Sequence, residues 1–211
     1  MRIAVLASGS GTNLQALIDT LHLSESEPVH IALVLSDRPS AGALRRAREA
    51  GIPREVVSAR EYATRDAFDE AIGASLDAHG VQLVVLAGFM MILQPAFVRR
   101  FAGRLLNIHP ALLPAFAGAD GIGDAIRYGV KVTGVTVHFV DEGVDTGPVV
   151  AQVPVFVQAD DTEETLAERI HAVEHRLYPA VVRAVAQGRV RLEGRRVRLD
   201  SGEIRWDVIA T

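Results

Sequence analysis

Apolar positions along the 211-residue chain follow two rhythms. Short, continuous runs of β-forming residues at 2–7 (R-I-A-V-L-A), 30–36, 54–58, 81–87 (V-Q-L-V-V-L-A) and 104–109 read as strands buried on both faces. Between them, residues 14–21, 41–50 and 64–79 repeat apolar positions at helical spacing. In the third stretch Ala67, Phe68, Ala71, Ile72, Ala74 and Leu76 form the apolar face. Gly51 with Pro53 beyond it, and Gly80, mark helix ends. Alternating strands and helices predict a parallel sheet with helices on both faces, residues 81–87 being its most central strand.

The rhythm changes after Pro114. Residues 116–123 are rich in Gly and Ala and read as a loop. Residues 132–140 and 149–157 are two strands joined by D-E-G-V-D-T-G-P, close enough in sequence to pair antiparallel. A long helix is predicted over 162–186, with Thr162, Glu163 and Glu164 as its cap region. Residues 189–199 alternate basic and apolar positions around Glu193-Gly194, as a hairpin does. No repeat, linker or low-complexity segment interrupts the chain. A single domain over 1–211 is expected, its halves being 1–103 and 104–211.

Composition narrows the picture. The chain is 49% hydrophobic, which supports a sizeable core. It has no cysteine, which excludes disulfides and thiolate metal sites. No apolar run is long enough to span a bilayer, and the first strand begins at once with no signal-peptide pattern. A cytoplasmic protein is expected. A net charge of −4 provides no general attraction to nucleic acid or anionic membranes.

Two features carry chemistry. Gly9-x-Gly11-x-Asn13 lies where the first strand hands over to the first helix. Glycines allow close backbone approach there, and a helix N-terminus suits a phosphate; a plain tight turn is the competing reading. The second feature is L-L-N-I-H-P at 105–110. Asn107 and His109, two residues apart on a strand, point to the same side, and Pro110 ends the strand. One supplies a fixed amide, the other a ring that titrates near neutrality. Asp145, in the polar connection between the two later strands, is the best third partner; a carboxylate there would raise the His109 pKa and hold its tautomer. A proton donor, an amide for a developing oxyanion and a supporting carboxylate suit acyl transfer to an external nucleophile. No Ser or Cys occupies a nucleophile elbow, so no covalent acyl-enzyme is indicated. Of the remaining histidines, His22, His30 and His79 read as solvated and His138 as structural. His171 and His175 are one turn apart, without the context of a metal site.

The segments V-L-A-S-G-S-G-T-N-L-Q-A-L (5–17), V-V-L-A-G-F-M-M-I-L (84–93), L-L-N-I-H-P-A-L-L-P (105–114) and T-G-V-T-V-H-F-V-D-E-G-V-D-T-G-P (133–148) resemble the phosphoribosylglycinamide formyltransferases, folate-dependent enzymes of purine synthesis. The resemblance runs from end to end. It implies a Rossmann-like α/β fold, its mostly parallel sheet carrying helices on both faces, with antiparallel strands and a long helix in the C-terminal half. It implies transfer of the formyl group of 10-formyltetrahydrofolate to the amine of 5-phosphoribosylglycinamide, without a metal, by a monomer or homodimer. Asn107, His109 and Asp145 match the catalytic trio. Gly11, Thr12 and Asn13 match the loop that holds the ribonucleotide phosphate, and His171, Ala172, Val173 and Glu174 match the region touching the ribonucleotide. Arg65, Met90, Met91, Ile92, Leu93, Asn107, Asp141, Glu142, Gly143, Val144 and Asp145 match folate-binding positions. Two other readings stand beside it: a formyltetrahydrofolate hydrolase, which would carry an extra N-terminal regulatory domain, and a catalytically impaired nucleotide-binding homologue. A methionyl-tRNA formyltransferase would carry a C-terminal domain and a basic face.

One departure stands out. Where the family has Pro, His and Arg after L-L-P, this chain has Ala117, Asp120 and Gly123. Exchanging a rigid Pro for a glycine-rich run is expected to make the loop more mobile, and a carboxylate in place of an imidazole is expected to change charge near His109. An Asp120→His variant is therefore expected to turn over formyl transfer at a different rate from the wild type. An unchanged rate would remove position 120 as a limit on activity.

Overall fold

The computed structural model describes residues 1–23 and 27–200, and the chain divides into two compact units between Asn107 and Ile108. The first unit follows the predicted alternation. Strand β1 (Arg2–Leu6) leads into α1 (Thr12–Leu17), which runs on as a π-helical turn over Ile18–His22. Next come β2 (His30–Ser36), α2 (Gly42–Glu49), β3 (Arg54–Val56), α3 (Arg65–Ala78), β4 (Leu83–Leu86), α4 (Pro95–Arg100) and β5 (Leu105–His109). The strands lie in the order β3-β2-β1-β4-β5, all parallel, with Val5 between Val34 of β2 and Val85 of β4. Residues 3–7, 31–35 and 83–87 are buried, as strands covered on both faces must be.

The helices end where the sequence marks them. Thr64 caps α3 by accepting from the Ala67 N–H at 3.1 Å. Gly51 and Gly80, just past α2 and α3, adopt the left-handed conformation that glycine tolerates, with φ of 70° and 60°. Helix α4 has no counterpart among the predicted elements. At six residues it is too short to display periodicity, although Pro95 in its first turn is a start signal. His22 also departs from expectation: its Nδ1 accepts from the Ile31 N–H at 3.1 Å, tying the π-helical turn to β2.

The second unit contains α5 (Gly121–Tyr128), β6 (Val132–Phe139), β7 (Val149–Phe156), α6 (Glu163–Ala186) and a hairpin of β8 (Val190–Glu193) and β9 (Arg196–Leu199). β6 and β7 pair antiparallel, as do β8 and β9. α6 packs on β6, β7 and α5. It opens with a capping box in which the Thr162 side chain accepts from the Thr165 N–H and the Thr165 hydroxyl accepts from the Thr162 N–H.

The expected loop over 116–123 is corrected at its C-terminal end, because residues 121–123 form the first turn of α5. Asp120 makes the helix start possible. Its carboxylate accepts from the Gly123 N–H and pairs with Arg127 one turn further on.

A buried hydrogen-bond network fastens the chain just after β5. The Thr136 hydroxyl donates to Ala111 O at 2.6 Å and accepts from the Leu113 N–H at 3.1 Å and the Gln152 amide at 2.9 Å. The same Gln152 amide donates to Leu113 O at 2.9 Å. Irregular backbone buried beside a sheet has no ladder to satisfy it, so these side chains do so. Thr136→Val keeps the shape but removes the hydroxyl. It is expected to lower unfolding stability by roughly 1–3 kcal/mol, as a buried group left unpaired does, with Thr136→Ser losing less. Urea unfolding midpoints at unchanged slope check this.

Candidate active site

In the first unit the chain leaving β1 is held on two sides. The Ser8 N–H donates to Gly88 O at 3.0 Å, and the buried Ser8 Oγ accepts from the Met90 N–H at 2.8 Å. On the other side α2 presses against the glycine loop. Gly11 has φ of 74°, and a Cβ there would lie 2.7 Å from Ala43 Cα. Gly42 faces Ser10 O in the same way, at 2.8 Å. Both positions must be glycine because two backbones touch. Arg46 braces the loop, donating from Nε to Ser10 O at 2.9 Å and from Nη1 to Gln15 at 3.0 Å. Gly11, Thr12 and Asn13 thus sit at the start of α1, where Gly11 provides no side-chain cap.

Residues 88–94 leave β4 without regular structure. Met90 and Ile92 are exposed. Arg65, expected among the folate-binding residues, donates from Nη2 to Ile92 O at 2.6 Å and lies 5.2 Å over the Phe68 ring. Asp69, one turn along α3, accepts from the Gln94 N–H at 2.6 Å.

In the second unit one carboxylate organises the site. Asp145 Oδ2 lies 3.4 Å from His109 Nδ1 and accepts from the Gly118 N–H at 2.9 Å; Asp145 Oδ1 lies 3.6 Å from His138 Nε2. Burial alone would raise the Asp145 carboxyl. The His138 ring, the Gly118 N–H and the charge that His109 can carry outweigh burial and hold it below the ordinary carboxylate range. Each imidazole also meets a backbone carbonyl at 2.8 Å, His109 through Nε2 to Phe116 O and His138 through Nδ1 to Phe139 O. A carbonyl only accepts, so both nitrogens carry hydrogen in these contacts. On each ring the other nitrogen faces the Asp145 carboxylate.

The supporting backbone is tight. Asp145 has φ of 54°, a left-handed conformation that Asp tolerates better than most residues. Asp141 Oδ1 accepts from the Gly143 N–H at 3.1 Å and from the Thr146 hydroxyl at 2.6 Å, shaping the turn that carries Asp145. A Cβ on Gly121 would lie 3.1 Å from His109 Nε2, so the first residue of α5 is small because the imidazole is there.

The sequence-predicted trio therefore divides as follows. His109 and Asp145 are in contact. Asn107 is half-buried two residues before His109 on β5. Residues 141–145 form one turn. Among residues 171–174 of α6, Val173 and Glu174 are buried while His171 and Ala172 are exposed. Tyr178, one turn beyond Glu174, is fully buried; burial first, then the Glu174 charge, push its hydroxyl well above the usual tyrosine range. The His171 and His175 rings stack 6.2 Å apart. No group of three or more His, Cys, Asp or Glu among the described residues could hold a metal.

Sequence reasoning missed His138, Ser8, Arg46 and Asp69. His138 carried a signal: it is an ionisable ring in a strand otherwise fit for complete burial. The other three act on backbone atoms distant in sequence, which no local pattern records.

Known proteins resemble this chain along most of its length. A formyl transferase family model matches residues 1–182. The phosphoribosylglycinamide formyltransferase of Mycobacterium tuberculosis is 50% identical over 194 residues, covering 92% of this chain and 89% of that protein. The trifunctional purine biosynthetic protein adenosine-3 of Chironomus tentans is 48% identical over 206 residues; the match covers 97% of this chain but only 15% of that longer protein. Glycinamide ribonucleotide transformylase 1 from Symbiobacterium toebii has the same fold, with a TM-score of 0.91, 49% identity and coverage of 94% of this chain and 93% of that one. On the match over residues 1–182 and on relatives of this identity, the chain belongs to the formyl transferase family.

Proposed function

We propose that the chain is a phosphoribosylglycinamide formyltransferase, moving the formyl group of 10-formyltetrahydrofolate to the amine of 5-phosphoribosylglycinamide. The observation that carries this is the contact between His109 and Asp145 at 3.4 Å, with Asn107 two residues earlier on the same strand.

The neutral amine attacks the formyl carbon and forms the new C–N bond. The formyl oxygen gains negative charge, which the Asn107 amide and the protonated His109 ring stabilise by hydrogen bonding. The amine loses a proton, the folate N10 gains one, and the C–N10 bond breaks. Asp145 faces the His109 ring and stays ionised, consistent with its lowered pKa. This leaves no covalent acyl-enzyme, and no step in it calls for a metal.

Gly11, Thr12 and Asn13 take the phosphate on backbone N–H groups at the start of α1, and residues 171–174 take the rest of the ribonucleotide. Arg65, Asn107, residues 90–93 and residues 141–145 take the folate. We infer a cytoplasmic enzyme of small molecules, a monomer or homodimer that engages neither nucleic acid nor membrane. Support comes from the net charge of −4 and from the lack, among the described residues, of a helix long and apolar enough to cross a membrane. The two other readings predict different products. A hydrolase releases formate without ribonucleotide, and an impaired homologue binds nucleotide without turnover. A formyl-transfer assay with and without phosphoribosylglycinamide separates all three.

His109→Ala and Asp145→Asn are expected to lower kcat/KM by roughly 10²–10⁴-fold, the range of general acid–base effects, with both substrates still bound. Asn107→Ala is expected to lower kcat by roughly 10²–10³-fold, as the loss of one oxyanion donor does. Steady-state kinetics monitored by folate absorbance check all three. Gly11→Ala, with φ of 74° and Ala43 Cα 2.7 Å from the new Cβ, is expected to raise the ribonucleotide KM with the folate KM unchanged. Equal rises in both would argue against a phosphate role for that loop.

A further inference from the structure

The irregular segment 88–94 is fixed by side chains at three alternate residues. Ser8 Oγ takes the Met90 N–H at 2.8 Å, Arg65 Nη2 gives to Ile92 O at 2.6 Å, and Asp69 Oδ2 takes the Gln94 N–H at 2.6 Å. Arg65 and Asp69 lie four residues apart on α3 and so share one face of it. The first turns of that helix grip the segment by one carbonyl and one N–H.

Asp69 is the unusual member. It is 3% exposed, and its second oxygen, Oδ1, is buried without a hydrogen-bond partner among the described residues. Burial raises its carboxyl above the usual range, against the pull of the Gln94 N–H and the Arg65 charge. An acid held out of water with one oxygen unmet weakens the fold, whatever its remaining bond does. That bond is to Gln94, the residue before α4, whose backbone is extended with φ of −72°. It fixes the point where residues 90–93 end and α4 begins.

We propose that Asp69 is a positioning residue for the formyl donor: it never touches the folate but sets the backbone of residues 90–93 that does. The inference rests on the reading above that these residues line the folate site. It also shifts part of the role of α3 from direct ligand contact, as expected of Arg65, to pre-organisation of the binding segment.

Two opposite ends of one hydrogen bond can be removed separately. Asp69→Ala deletes the acceptor. Gln94→Pro deletes the donor while keeping φ near −72°, which proline adopts without strain. Each is expected to raise the KM for 10-formyltetrahydrofolate by about tenfold, with kcat and the ribonucleotide KM within about twofold; tenfold corresponds to about 1.4 kcal/mol. Asp69→Asn retains an acceptor oxygen and is expected to recover most of the wild-type folate KM. The Asp69→Ala/Gln94→Pro double variant is expected to match either single variant, because both remove the same bond. A merely structural role would instead move both KM values and kcat together and leave Asp69→Asn as impaired as Asp69→Ala, and that result overturns the proposal. An unchanged folate KM in Asp69→Ala and Gln94→Pro, beside a wild type that saturates with 10-formyltetrahydrofolate, overturns it too while the function stands. A wild type that does not saturate with the folate overturns both.

Discussion

A carboxylate withdrawn from water must be met by donors, and Asp145 is met from three segments of the second unit. His109 comes from the end of β5, His138 from β6 and the Gly118 N–H from the chain before α5. The lowered Asp145 pKa records that these contacts outweigh burial. The dependence runs both ways. His109 is held at the end of its strand by this carboxylate and the Phe116 carbonyl, and the turn over 141–145 takes a left-handed residue at Asp145 so that the carboxylate reaches both rings. Loss of any one contact would leave a buried polar group with fewer partners than it needs. Position 145 is therefore constrained by chemistry, by hydrogen bonding and by backbone conformation together.

Close approach is the second constraint, and it explains several glycines. Gly11 and Gly42 let α2 rest on the loop after β1, and Gly121 leaves room for the His109 ring. Gly147 is the extreme case: a Cβ there would lie 1.8 Å from Phe139 O. The close contacts at Gly11 and Gly42 bring α2 near enough for Arg46 to bond the loop through Ser10 O.

What the sequence made legible follows from the range of each interaction. Strands and helices of the first unit were readable because burial on both faces leaves unbroken apolar runs, and burial on one face leaves a period. The helix ends at Gly51 and Gly80 were readable because a left-handed glycine just past a helix is a local signal. Asn107 and His109 stood out because a strand sets i and i+2 on one side. Helix α4 escaped because six residues hold less than two turns, and the start of α5 escaped because glycines at 121 and 123 argue against a helix until the side chain of Asp120 is counted as its cap. Asp69, Ser8 and Arg46 escaped for a different reason. Each acts on a backbone atom 25 or more residues away, and such pairs leave no local rhythm.

The departure at Asp120 shows how a change of charge beside a site can be contained. Arg127 bonds Asp120 and Asp124 together, and the Arg127 hydrogen bond is the chief reason why the Asp120 carboxyl lies below its usual range. One guanidinium shared by two acids leaves a net charge of about −1 for the group, but all three side chains are substantially exposed, so water and salt screen that charge before it reaches Asp145. The carboxylate is also aimed at the Gly123 N–H, inside its own helix turn. A Cβ at residue 123 would lie 2.6 Å from the Asp120 carboxylate oxygens, so a larger residue there would push the capping carboxylate aside. The Asp at 120 and the Gly at 123, which look like two separate losses in the sequence, are thus one physical change: an imidazole and a cation give way to a helix cap and the space it needs.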